Sequence, residues 1–156
     1  MELCFLIIIF VYDLKHFIIP DKIIYPAIAI VFLYRLFENW PLKIGNLNPL
    51  LYPFFAAIGA SAFFLAIILI SHGRWMGLGD AKLAFLMGLF LGFPNILAAL
   101  FFAFFIGAII GVGLILAKKK TLKSEVPFGP FLITGTFIAM FWGDKIINWY
   151  LGSFRI

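Results

Sequence analysis

Leu51-Tyr-Pro-Phe-Phe-Ala-Ala-Ile-Gly-Ala-Ser-Ala-Phe-Phe-Leu-Ala-Ile-Ile-Leu-Ile70 runs for twenty residues without a charged side chain. A helix rises about 1.5 Å per residue, so about 20 apolar residues cross the roughly 30 Å hydrocarbon core of a bilayer. This stretch, with Ser71 the segment 51–71, therefore reads as a membrane-spanning helix. Five more apolar segments flank it, at 3–12, 22–37, 81–93, 95–117 and 128–143. The one at 95–117 is also long enough to span unaided. Those at 3–12 and 81–93 are short, and need wet ends or a locally thinned bilayer. The fold class expected is all-α: a polytopic membrane helix bundle of about six transmembrane segments, forming one domain over residues 1–156.

Composition agrees. Hydrophobic residues make up 65% of the chain, charged residues 12%, and 21 of the 156 residues are Phe. The mean hydropathy is +1.14. Such a chain takes the lipid bilayer as its surroundings. The net charge of +5 is not read as nucleic-acid binding, because the basic residues sit in short inter-helix loops where a cytoplasmic bias is expected. Cys4 is the one cysteine, so no Cys-x-x-Cys pair exists, and His16 and His72 do not form His-Glu-x-x-His. No metal site is expected. The N-terminus passes from Glu2 directly into apolar sequence, without the basic region and small-residue cleavage site of a removed signal peptide.

If all six segments cross, the loops at 13–22, 72–82 and 118–127 share one side. They hold Lys15, Lys22, Arg74, Lys82, Lys118, Lys119, Lys120 and Lys123, eight of the twelve Lys and Arg residues. The positive-inside rule makes that side cytoplasmic, with both termini outside. Trp40, Trp142 and Trp149 then anchor the outer interface, and 144–156 is expected to lie along it. Gly107 and Gly111, four residues apart, are expected to admit a neighbouring helix closely. The lysines of 118–123 read as a membrane-surface anchor.

This topology carries Asp13 and Asp80 to the same mouth of the bundle. Asp13 follows a nearly all-apolar run where a helix should still continue, and a charge beside hydrocarbon usually marks a pathway or a site. An ion pair with Lys15 or Lys82 is the plain structural alternative. Asp80 ends Gly73-Arg-Trp-Met-Gly-Leu-Gly-Asp80, a loop whose glycines allow backbone turns beside a wet cavity. As the opening residue of the fourth helix Asp80 can also cap it, and capping would fix the carboxylate's position. Pro20 and Asp21 read as a helix start. Pro127-Phe-Gly-Pro130 breaks the chain before the last helix and is placed to shape a groove. Two carboxyl groups reaching one water do not both ionise easily. One pKa rises, leaving one group as base and the other as acid.

Three motifs in order, Asp13-x7-Asp21 with Ile19-Pro20 ahead of Asp21, Gly77-x-Gly79-Asp80-x-Lys82-Leu83, and Val126-Pro-Phe-Gly-Pro130, resemble those of type IV prepilin peptidases and their archaeal preflagellin relatives. These are membrane aspartic proteases of the Gly-x-Gly-Asp class, and the resemblance covers nearly the whole chain. It implies that Asp13 and Asp80 are the catalytic pair. Gly77, Gly79, Lys82, Pro127, Phe128, Gly129 and Pro130 would shape the site, and Asp21 would be structural, since the family often has Asn there. It further implies prepilin-like, pseudopilin-like or archaellin-like precursors as protein substrates. Their leaders would be cut at the cytoplasmic face of the plasma membrane, after a glycine that precedes the mature hydrophobic helix. The long bacterial form adds an N-terminal helix and a Cys-x-x-Cys insert and methylates the new N-terminus. With Cys4 alone, methyltransferase activity is not expected here, and no cofactor is assigned.

Two other classes compete with a peptidase. A small proton- or cation-coupled transporter could use the same carboxylates, but those would be expected near the bilayer midplane on broken helices. A catalytically silent assembly subunit would not need both aspartates.

Overall fold

The computed structural model describes residues 2–16, 18–38, 48–74, 76–117 and 127–153. These form six helices and, among the described residues, no strand. The helices are α1 (Glu2–His16), α2 (Asp21–Glu38), α3 (Asn48–Ile70), α4 (Leu78–Leu91), α5 (Asn95–Leu116) and α6 (Gly129–Ser153). Three contain stretches long and apolar enough to cross a membrane: Leu51–Ile70, Asn95–Leu114 and Gly129–Tyr150. The others fall short for visible reasons. α1 has 15 residues, α4 has 14, and the 18 of α2 include Asp21, Lys22, Arg35 and Glu38.

The short fourth segment has a structural explanation. α4 stands at the centre of the bundle, packed most extensively against α3 and also against α2, α5 and α6. A helix apolar on every side is one that is buried on every side. Leu83, Ala84, Leu86, Met87 and Leu89 are buried, while Ile8, Leu33, Phe55, Leu69, Phe101 and Phe141 are exposed on the surrounding helices. Those outward side chains suit contact with acyl chains. Within a bilayer, helices gain little from leaving one apolar phase for another, so close van der Waals packing holds them together.

Two glycines make that packing possible. A Cβ on Gly88 would collide with the Ala57 backbone, which brings α4 against α3. A Cβ on Gly135 would strike the Ala99 carbonyl and Ala103, which brings α6 against α5. The expected close approach at Gly107 and Gly111 is thus relocated. Gly107 faces the rings of Phe128 and Phe131 at ordinary contact distance, and Gly111 faces open space.

Helix ends also differ from expectation. α1 continues past residue 12 to His16 and carries Asp13 inside its last turns. α6 does not stop at residue 143: residues 144–153 extend it as one helix, instead of lying separately along an interface. Nothing at Gly143 or Asp144 breaks the intrahelical hydrogen-bond ladder, and Trp142 and Trp149 project outward from it. α4 ends at Gly92, whose φ of 68° suits a residue without a side chain. Trp40, the lysines of 118–123 and Val126 lie outside the described residues.

Candidate active site

Three connections meet at one end of the bundle, formed by residues 18–20, by 71–74 with 76–77, and by 127–128. Together they wall a cavity of about 610 Å³. Asp13, Asp21, Gly77, Gly79, Asp80, Lys82, Pro127 and Phe128 line it together, so side chains far apart in sequence share one space. Both Asp13 and Asp80 stand just outside the apolar stretches 3–12 and 81–93, at the cavity end of their helices.

Asp80 is the third residue of α4. Its Oδ2 accepts the Gly77 backbone N–H at 3.2 Å, which is the carboxylate half of a capping box. Gly77 has no side chain to supply the other half. A Cβ there would meet nothing closer than 3.9 Å, so Gly77 serves this geometry through its amide and its extended backbone, φ −88° and ψ 158°. Gly79 has a steric reason to be glycine: a Cβ would come within 3.0 Å of the Ile19 Cβ. That contact seats the first connection on the start of α4.

Asp13 is only 4% exposed. It accepts a hydrogen bond from the Gly129 backbone N–H at the start of α6, where free amides and the helix dipole favour an anion. The Phe128 carbonyl accepts the N–H groups of Phe131 and Leu132, so Phe128 ends the turn and Gly129 opens the helix. A Cβ on Gly129 would run into the Asp13 carboxylate. Gly129 and Pro130 are buried and act from behind the cavity wall, whereas Pro127 and Phe128 face into it.

Burial raises both carboxyl pKa values. For Asp80 desolvation is the largest cause, offset in part by the Gly77 N–H and reinforced by the negative charge of Asp13, and the value reaches about 6. For Asp13 desolvation also raises the pKa, against the Gly129 hydrogen bond. The Asp13 charge is thus felt at Asp80, as the smallest of the three influences on it.

Of the two lysines considered as partners of Asp13, Lys82 is engaged elsewhere. Lys82 Nζ donates to Asp21 Oδ1 at 2.5 Å and stands 4.9 Å from the centre of the Tyr25 ring. Asp21 is the first residue of α2, after Pro20, whose carbonyl accepts the N–H groups of Ile23 and Ile24. The helix-start reading of Pro20 and Asp21 therefore describes the backbone, while the Asp21 carboxylate has a tertiary partner that no local pattern announces. Sequence reading also missed Ile18, Met76 and Arg74 in the cavity wall. Their one local signal is the turn that carries the last two, with positive φ at His72 (50°) and Gly73 (73°).

An all-helical bundle with two buried carboxylates facing one cavity defines a class broader than any one family. Comparison with known proteins narrows it. The type IV leader peptidase family matches residues 2–112, a span that includes both aspartates. A prepilin leader peptidase/N-methyltransferase of Aeromonas hydrophila is 32% identical over 149 residues, 91% of this chain and 48% of that protein. The Bacillus subtilis (strain 168) protein of the same name is 32% identical over 152 residues, 94% of this chain and 56% of its own length. That of Legionella pneumophila is 46% identical over 77 residues, 49% of this chain and 27% of its own. The chain spans about half the length of the curated relatives it matches over most of its own. No solved structure matches it significantly. The chain belongs to the type IV leader peptidase family.

Proposed function

We propose that this protein is a membrane aspartic endopeptidase that removes the leader from type IV prepilin-like precursors at the cytoplasmic face of the plasma membrane. One observation carries the reading: Asp13 and Asp80 are both buried, both face one cavity, and the charge of one raises the pKa of the other. Family membership supports the substrate class, and the names of the relatives include prepilin leader peptidase.

The chemistry follows from the unequal surroundings. The Gly129 amide favours the Asp13 anion, which acts as general base and takes a proton from a water in the cavity. The resulting hydroxide oxygen bonds to the scissile carbonyl carbon. Asp80, the group held at about 6, gives its proton to the carbonyl oxygen. Collapse of the tetrahedral species breaks the C–N bond: the proton held by Asp13 passes to the leaving amine, and as the C=O reforms the proton on the former carbonyl oxygen returns to Asp80. Gly77 fixes Asp80, Gly129 fixes Asp13, and the Asp21–Lys82 pair ties α2 to α4. The Lys and Arg bias toward the loops of this end supports its cytoplasmic placement. Methyl transfer is not part of the proposal.

Incubation of purified protein with a prepilin-type precursor, read by the mass of the product's N-terminus, is the direct test. A product shortened by its leader and bearing no added methyl group is expected. An intact precursor would sink the proposal, and a methylated product would overturn the expectation that no methyl group is transferred.

A further inference from the structure

A second cavity, of about 580 Å³, runs along the outside of the bundle between α3 and α5. We infer that this trough is the docking surface for the apolar helix of the precursor, the segment that follows the scissile bond. The inference rests on the peptidase reading above and says where the uncut part of the substrate lies.

Continuity with the catalytic cavity is the first reason. Phe128 lines the cavity of Asp13 and Asp80, and its ring centre is 5.0 Å from that of Phe104 and 6.0 Å from that of Phe64. Phe104 in turn lies 6.0 Å from Phe63, and Phe63 and Phe104 both line the trough. A continuous run of ring contacts therefore joins the wall of the acids' cavity to the lining of the trough.

Shape is the second. From Phe63 the lining extends along α3 to Tyr52, about 16 Å at 1.5 Å per residue, which accommodates about three turns of a partner helix. The floor is small, with Ala56, Gly59 and Ala60 on one face of α3, and the walls are aromatic. A small-residue floor lets a second helix approach closely. The fold itself does not require Gly59 to be small: a Cβ there would meet nothing within 4 Å. Gly88, Gly129 and Gly135 differ, because each is forced to be glycine by a neighbour inside the molecule.

A comparable trough lies between α1 and α6, lined by Phe10, Phe137, Phe141 and others. It has no glycine or alanine in its lining, and Phe128 has no ring contact with any of its aromatics. It serves as the internal control.

Photo-crosslinking in lipid vesicles separates the two. A benzoyl-phenylalanine placed singly at Phe55, Phe101 or Phe141 is irradiated with a prepilin-type precursor, and adducts are mapped by mass spectrometry. Adducts from Phe55 and Phe101 to the precursor's apolar segment are expected, at about tenfold or more over Phe141. Gly59→Leu, for which the fold has room, is expected to raise KM for the precursor by about tenfold with kcat little changed. Adducts at Phe141 as abundant as at Phe55, adducts to lipid alone, or an unchanged KM in Gly59→Leu overturns the assignment. A precursor left uncut by the wild-type protein overturns the underlying peptidase reading, whereas cleavage with no adduct at Phe55 or Phe101 overturns the trough alone.

Discussion

The two ends of α4 handle buried polarity in opposite ways. At the C-terminal end, the Arg35 guanidinium of α2 donates to the Leu89 carbonyl at 3.2 Å and to the Phe90 carbonyl at 2.5 Å. A cation there also complements the negative end of the helix dipole. Nearby, the Asn95 amide donates to Asp144 Oδ1 at 3.0 Å. At the N-terminal end, two carboxyl groups are buried against backbone amides, while Lys82 is turned away to Asp21. The C-terminal end pairs its cation with backbone carbonyls, although Asn95 Oδ1 stays buried there without a hydrogen-bond partner among the described residues. The other keeps two acids in a state that raises their pKa values, the kind of local cost expected at a reacting centre.

Replacing the acids tests this contrast most severely. Asp13→Asn or Asp80→Asn is expected to reduce leader cleavage by about 10³-fold or more, since each removes one half of the proposed acid–base pair. Asp80→Asn carries a second expectation, of opposite sign. The Asp80 pKa rises from 3.8 to about 6 on folding, so between those values the folded protein holds more proton than the unfolded chain. Stability then falls as pH rises through that window, and the deficit persists above it. Removing the ionisable group should raise Tm at pH 7, by up to about 3 kcal/mol in stability, and leave Tm at pH 4 little changed. A variant that cuts normally, or that is less stable at pH 7, breaks the contrast.

Next in size is Gly129→Ala. The added methyl would displace the Asp13 carboxylate, and cleavage is expected to fall by about 100-fold, as for misplacement of about 1 Å. Gly77→Ala, where a Cβ has room, should fall far less. Equal losses in kinetic assays would show that the turn, and not the Asp13 contact, matters at Gly129.

Arg35→Met probes the other end. It leaves the Leu89 and Phe90 carbonyls without this donor and should lower stability by about 2–4 kcal/mol. Cleavage per folded molecule should be retained, which thermal unfolding and a rate normalised to folded protein would check. Asp21→Asn should have the smallest effect. The pair with Lys82 is solvent-exposed, with side chains 28% and 59% accessible for Lys82 and Asp21, so a loss within about 1 kcal/mol and near-normal cleavage are expected. An inactive Asp21→Asn would move Asp21 from the supporting pair into the chemistry.

The residues themselves specified the helical class, because runs such as 51–70 and 95–117 hold no charge and leave their backbone no better partner than a helix. They also singled out Asp13 and Asp80, whose positions beside apolar segments make a carboxylate costly, and they marked the break at Pro127. Local pattern could not show that α4 is short because four neighbours enclose it, nor that α6 runs through Asp144 to Ser153. It likewise could not choose between Asp13 and Asp21 as the partner of Lys82, or reveal that Gly129 is glycine because a carboxylate from α1 occupies its Cβ position. Hydrophobicity and helix-ending residues act over a few turns and are written along the chain. Which acid meets which amide, and which cation is drawn away, depends on helices that meet only after the bundle has closed.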